Sequence, residues 1–506
     1  MSALFFCIYI IVIFVKKFLP LSLYKNLFKQ TLIYGLATVL PRIISFLLNP
    51  LYIYYLEDKS QMGIVSVLFS YLVFCNVFLS YGMETAFFRF FNKEADKNKV
   101  ISTSTISLFW STLGFLVLAL LFRNTLAHTT GFAVEYITYA LWIVAFDALA
   151  IIPFSKLRAE RKPMQYAVIK IGNVSLQILL SVFFLAFLPQ WAKSDPSGFL
   201  ATLYYPNFQI GYIFIANLIA SLATFLVLIP NYTQIRWQFD FALWKQMMRY
   251  GYPILFAGVA FAINEHFDKI LLDWFHVPLA DIGAYSACYK IGMFMVLFRT
   301  AYSLGIEPFF FSHAGNENAP QTYATITKYF VIFGSFISLA VIAFIDLLKQ
   351  PLVPNAAYWD AIKVVPLIVF ANFFLGIYTN LSVWYKLIDK TLFGAYISLV
   401  GALVTLALNY LLIPKYSYYG SALATIAAYG SMMIISYQWG KKKYPIPYDF
   451  NRIFSYLGLS IGFSILAFYV DYIRDNYPLK VLLLLVFLFF IYRSEKESLL
   501  RILRRK

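Results

Sequence analysis

Cysteine, histidine and charge are all scarce in this chain, and each scarcity removes a class of protein. Only three cysteines occur (Cys7, Cys75 and Cys288), all inside apolar segments, which argues against both a disulfide framework and a thiolate metal cluster. The four histidines (His128, His266, His276 and His313) are scattered without ligand spacing, so no metal or other cofactor is expected. Charged residues make up 13% against 61% hydrophobic ones, and the mean hydropathy is +0.72; this excludes an ordinary water-soluble protein of 506 residues. The alternating segments of about 10 residues that mark a membrane β-barrel are missing too. No connection is long enough for a soluble domain. The longest outer one, 189–206, holds Pro189, Pro196 and Gly198 and reads as a flexible turn. A membrane glycosyltransferase or ligase needs a larger outer loop with catalytic carboxylates, so the chain is not expected to be an enzyme.

What is present is a series of apolar runs of roughly 20 residues, the length that carries a helix across ~30 Å of hydrocarbon. Helix is the spanning structure available, because backbone groups in lipid must pair within the segment. The runs place spans near 31–54, 62–82, 101–122, 135–153, 164–188, 207–229, 250–272, 281–304, 324–347, 362–385, 390–413, 418–439, 452–472 and 478–493, fourteen in all. Of the 41 Lys and Arg, 29 fall in the tails and even-numbered connections and 8 in the odd-numbered ones. That bias predicts both termini in the cytoplasm. It also accounts for the net charge of +17 through topology and anionic headgroups, without nucleic acid. Residues 3–15 form a further apolar run ending in Lys16-Lys17, too short to span and unlike a signal peptide. It reads as an extra or interfacial helix, or as a start codon placed too far upstream.

The chain also repeats itself. Leu27-Phe28-Lys29-Gln30 with Tyr34-Gly35 recurs as Leu243-Trp244-Lys245-Gln246 with Tyr250-Gly251, an offset of 216. Gly63 and Ser66 recur as Gly283 and Ser286 at 220; Ser80, Gly82, Glu84, Phe87 and Phe88 recur as Ser303, Gly305, Glu307, Phe310 and Phe311 at 223. Offsets that grow in order are what duplication with small insertions leaves behind. Six helices separate the copies, so both have the same orientation, and the architecture expected is all-α with two parallel six-helix repeats followed by two further helices. The divisions are 1–26 (apolar extension), 27–235 and 236–440 (six-helix bundles) and 441–506 (two accessory helices and a basic tail).

Ionisable groups at bilayer depth cost at least ~2.5–3.5 kcal/mol each, so every one needs a partner, a wet cavity or a task. Arg42, Asp147 and Lys290 lie deep in the first, fourth and eighth spans, and Asn264, Glu265, His266, Asp268 and Lys269 crowd the outer half of the seventh. Glu265 and Lys269 are spaced to meet across one turn as a local pair. Asp147 fits either an arginine on a facing helix or a place in a cavity. Lys170 is near enough to a helix end to snorkel. Arg42 and Lys290 come from corresponding regions of the two repeats, too deep to snorkel easily, and are expected to line a central cavity with Asp147 and Lys269 as substrate-binding groups. Glu84 and Glu307 hold equivalent positions at the cytoplasmic ends of spans two and eight. They serve either as headgroup-level carboxylates, capped by a neighbour such as Arg89, or as a gate; Glu265 and Asp268 join them as candidate gate or ion-coupling groups.

These residues resemble a known family. Tyr34-Gly35 with Arg42 and Pro50, then Tyr81-Gly82-Met83-Glu84-Thr85-Ala86-Phe87-Phe88-Arg89-Phe90, are similar to the opening of bacterial polysaccharide flippases, the O-antigen and capsule repeat-unit translocases of the multidrug/oligosaccharidyl-lipid/polysaccharide exporter superfamily. Asp147 with Leu157-Arg158-Ala159, Tyr285-Ser286 and Tyr289-Lys290 extend the resemblance from about residue 27 over nearly the whole chain. The apolar extension before residue 20 and Pro41 directly before Arg42 depart from the pattern. The resemblance implies two six-helix bundles in a V plus two accessory helices, in the bacterial cytoplasmic membrane. The implied task is moving a polyprenyl-pyrophosphate-linked oligosaccharide from the inner to the outer leaflet, with a polysaccharide polymerase and chain-length proteins as partners. Arg42 suits bidentate phosphate contact and Lys290 a point-charge contact. The competing expectations are a cation-coupled multidrug-type exporter, which would need an acidic cavity, and a membrane sugar polymerase or ligase.

Overall fold

The computed structural model describes residues 39–233 and 235–504. The apolar extension and the Tyr34-Gly35 signature lie outside them. Among the described residues there is no strand. The principal helices are α1 (Leu48–Tyr55), α2 (Lys59–Ser80), α3 (Met83–Lys93), α4 (Lys97–Leu121), α5 (Val134–Ala159), α6 (Pro163–Val182), α7 (Gln209–Leu228), α8 (Phe241–Trp274), α9 (Leu279–Tyr289), α10 (Met293–Ser312), α11 (Ala319–Ala343), α12 (Ile345–Leu352), α13 (Val365–Leu381), α14 (Val383–Leu387), α15 (Leu392–Lys443), α16 (Phe450–Tyr469), α17 (Asp471–Arg474) and α18 (Tyr477–Arg504).

Ten helices among the described residues are long and apolar enough to cross a bilayer. Three features separate this number from the fourteen spans expected. Helix α15, at 52 residues, breaks at Ser417 (φ 51°, ψ −138°), and so contains two of the expected spans. Helices α8 and α10 carry ionisable residues among their apolar ones, Glu265, Asp268 and Lys269 in the first, Arg299 and Glu307 in the second, and are less apolar for it. The first expected span is described only from residue 39. This is a multi-pass membrane protein.

Aspartates start four of the helices in the same way. Asp58, Asp96, Asp240 and Asp449 each accept a hydrogen bond from the backbone N–H three residues on, covering an orphan donor and placing negative charge at the positive end of the dipole. The stretch 189–206, expected as a flexible turn, holds a helix, Leu188–Ser194, and a helical turn, Phe199–Thr202. Pro189 explains the difference: it lies in the first turn of that helix, where its missing N–H costs nothing.

The chain packs as two units, the first ending at Ser286 and the second beginning at Ala287, inside α9. In the first, α5 is the central helix, lined by α2, α3, α4 and α7, while α8 packs along α2 and α3. Pro153 sits within α5 and cannot bond the carbonyl of Leu149; the Tyr232 hydroxyl donates to that carbonyl instead, at 2.5 Å. In the second unit α13 is central, against α10, α11 and α15, and the two accessory helices α16 and α18 pack on α11. Lipid tails are as apolar as leucine, so shape and polar contacts, rather than water exclusion, hold such helices together.

Candidate functional site

The glutamate motif folds into a bend. Tyr81 (φ 31°) and Gly82 (φ 73°) are both left-handed, which ends α2 and redirects the chain into α3. Within α3, Met83, Ala86, Phe87, Phe90 and Phe91 form one buried stripe at helical spacing, packed on Val100, Met247 and Met248. The motif's phenylalanines are therefore mostly packing, and Glu84, Phe88 and Arg89 point the other way. Gly82 is needed twice: for its positive φ, and because a Cβ there would stand 2.3 Å from the Gly251 carbonyl oxygen of α8. A Cβ on Gly251 would in turn stand 3.0 Å from the Tyr81 carbonyl oxygen.

A second close crossing lies at the other end of α2. A Cβ on Gly63 would meet the Leu279 carbonyl oxygen at 2.1 Å, and one on Gly283 would meet the Lys59 carbonyl oxygen at 1.9 Å. Gly63 and Gly283 are equivalent in the sequence repeat, and Lys59 and Leu279 are the first residues of α2 and α9. The contact is reciprocal, as a two-fold relation between the echoed segments requires.

Around these crossings the charges find partners. Arg158 at the end of α5 donates to Glu84 Oε1 at 2.8 Å, with its guanidinium 4.8 Å from the centre of the Phe88 ring. Arg89, the cap considered from sequence, lies over the ring of Tyr250 at 4.2 Å. In the second unit Lys386 of α14 hydrogen-bonds Glu307 Oε1. The partners are 74 residues apart in the first pair and 79 in the second, so the repeat reproduces the pair as well as the glutamate. Glu307 and Lys386 border an open cleft lined also by Tyr302, Phe310, Thr379 and Asn380. Inside it the Tyr302 hydroxyl donates to Asn380 Oδ1 at 2.5 Å.

Deeper groups are held differently. Asp268, 5% exposed, accepts two hydrogen bonds from Lys269 at 3.0 and 2.9 Å and one from the Tyr285 hydroxyl at 2.7 Å. Neighbouring helical side chains diverge by about 100°, so the lysine folds back to reach its neighbour. Glu265 is half-buried on the same helix. Asp147 accepts from the Ser221 hydroxyl at 2.8 Å and lies within Coulombic reach of Lys170, whose ammonium stands 4.2 Å from the Phe154 ring centre. Its facing cation is thus a lysine. Asn173 continues this polar track, donating to Thr224 Oγ1 at 2.9 Å and to the Ala220 carbonyl at 3.0 Å. Arg42 is exposed in helical residues 39–46 of the first unit. Lys290 is half-buried in the second, in a 3₁₀ turn, Lys290–Gly292, between α9 and α10.

Sequence reasoning did not assign Arg158, Lys386, Ser221 or Tyr285 to the site. For the first two a signal existed: basic residues at nearly the same distance beyond the two repeated glutamates. Nothing in the sequence singles out Ser221 from the other hydroxyls.

A family model described as polysaccharide biosynthesis protein matches residues 27–313. No individually curated protein matches the sequence. Solved structures match over nearly their whole length. The lipid II flippase MurJ in an inward closed conformation superposes with a TM-score of 0.70 at 16% identity, covering 92% of this chain and 99% of that one. An inward-facing multidrug resistance MATE family transporter of the MOP superfamily gives 0.60 at 14% identity, covering 88% and 98%. A MOP superfamily transporter from Pyrococcus furiosus gives 0.58 at 15% identity, covering 82% and 95%. At these identities the likeness is one of fold.

Proposed function

The chain belongs to the polysaccharide biosynthesis protein family, and from that membership we propose that it flips a polyprenyl-pyrophosphate-linked oligosaccharide from the inner to the outer leaflet of the bacterial cytoplasmic membrane. The observation that carries this reading is the family match itself, which runs from the first repeated signature through the second glutamate motif. The physical problem is the pyrophosphate, which cannot cross hydrocarbon without something to replace its water. Arg42 and Lys290 are read as the cations that do so, with Asp147 and Lys269 beside the path. The prenyl tail stays in lipid throughout. An inside-negative potential favours the outward movement of anions by ~2.3 kcal/mol per charge per 100 mV.

Alternating access supplies the motion. The Gly63–Gly283 crossing is read as closing one end of α2 and α9, and the Glu84–Arg158 and Glu307–Lys386 pairs, with Arg89, as controlling the other. Glu265 and Asp268 are read as ion-coupling groups. The repeats 27–235 and 236–440 move as bundles, and 441–506 adds the accessory helices; both termini are cytoplasmic. A polymerase and chain-length proteins take the product, and the chain itself makes or breaks no covalent bond.

The likeness to multidrug transporters gives a second reading, a cation-coupled exporter of small amphipathic cations. Depletion in the native host separates the two. Flipping predicts that lipid-linked oligosaccharide accumulates in the inner leaflet and surface polymer falls, with unchanged tolerance of cationic dyes. Unchanged polymer with increased dye sensitivity would overturn it.

A further inference from the structure

Where α12, α17 and α18 meet in the second unit, three cations converge on one carboxylate. Lys349 donates to Asp346 Oδ1 at 2.7 Å, and Arg474 reaches both oxygens, through Nε and Nη2, at 3.3 Å each. Lys480 Nζ stands 3.6 Å from Oδ2, within ion-pair range but beyond a hydrogen bond. Asp346 lies just past the span that ends at Ala343. Burial alone pushes its carboxyl up, but hydrogen bonds from Arg474 and Lys349 outweigh that and hold it at about 2, so it carries one fixed negative charge.

Three positive charges against one leave the cluster with a surplus of two. Asp471 and Asp475 flank Arg474 in sequence, yet both are exposed and, among the described residues, neither forms an ion pair. Rings lie against each cation: Trp359 at 4.1 Å from Lys349, Phe468 at 5.0 Å from Arg474 and Tyr477 at 5.0 Å from Lys480. Such contacts stabilise a cation, but they supply no counter-charge. Lys480 is 1% exposed, and a buried ammonium without a full complement of partners is costly. The open edge is Arg474, whose side chain is 28% exposed.

We propose that this cluster binds the phosphoryl headgroup of an anionic phospholipid, with Arg474 forking the phosphate oxygens and Lys349 and Lys480 supplying the remaining charge. A guanidinium at the rim matches phosphate geometry, and basic pockets between membrane helices are natural headgroup sites. A lipid is favoured over free phosphate because α18 is a lipid-facing helix: it exposes Leu482, Leu485 and Phe489 on the face opposite buried Lys480, where acyl chains lie. This site is independent of the substrate assigned above.

The test uses the full-length protein in detergent, with phosphatidylglycerol and inorganic phosphate as probes and native mass spectrometry and thermal unfolding as readouts. Wild type should retain phosphatidylglycerol, and Arg474→Gln with Lys480→Gln should weaken it at least tenfold. In Asp346→Asn, which leaves all three cations and removes their internal partner, the lipid should raise the Tm by more than it does in wild type. Equal lipid retention by the double variant would overturn the proposal. So would an Asp346→Asn protein that the lipid fails to stabilise, or inorganic phosphate that stabilises as well as the lipid at equal concentration.

Discussion

Glu84 and Arg158 are 47% and 43% exposed as side chains, and Glu307 and Lys386 are 50% and 30% exposed. Pairs that open to their surroundings contribute about 1 kcal/mol or less to stability. Neither pair is therefore needed to hold its helices together, and the gate proposed above is what variants at Glu84 test. Glu84→Gln should leave the protein in the membrane and lower surface polymer by less than about tenfold. Glu84→Lys would replace this attraction with repulsion between two cations on one helix crossing, and should abolish polymer. Adding Arg158→Glu to Glu84→Lys should restore most of it. Polymer quantified in a deletion strain, alongside immunoblotting of membranes, checks all three. Equal, mild losses for Gln and Lys would show that the carboxylate merely sits at headgroup level.

Helix α2 is held by backbone approach at glycine near both ends, at Gly63 and at Gly82 just beyond its last residue. At Gly63 and Gly283 the backbones are so close that any side chain must push them apart, and overpacking of this kind costs about 1–3 kcal/mol. Gly63→Ala and Gly283→Ala should each lower the Tm in detergent. Because both act on one crossing, the double variant should lose clearly less than the sum. Gly458 on α16 provides the control, since a Cβ there meets nothing within 4 Å, and Gly458→Ala should be neutral or stabilising. Additive losses would mean that the two glycines do not share a contact. These positions were visible in the sequence only as a weak echo between Gly63-Ser66 and Gly283-Ser286. Their closeness depends on the angle at which α2 and α9 cross, which periodicity does not encode.

At the scale of the whole chain, the long-range ion pairs within each unit join helix ends that the charge alternation assigns to one side. Lys99 at the start of α4 meets Asp240 before α8, Glu84 meets Arg158, and Lys328 and Arg452 converge on buried Glu495 near the end of α18. The proposed transport asks more of Arg42 and Lys290, one in each packing unit. Arg42→Ala and Lys290→Ala should each reduce surface polysaccharide to background while the protein stays in the membrane at normal level. Normal polymer from both variants would remove the cationic groups from the mechanism.

The sequence by itself determined the helices, because apolar runs of bilayer length admit no other backbone, and it determined the repeat, because a duplication survives as ordered spacing. It also marked the residues that carry charge into the membrane, since those stand out against an apolar background. It did not determine their partners. Arg158 rather than Arg89 meets Glu84, Asp268 meets Lys269 beside it, and Lys170 faces Asp147, because helix tilt and rotation decide which side chains coincide. Those are set by backbone approach at glycines and by the break at Tyr81-Gly82, and only the tertiary structure brings them together.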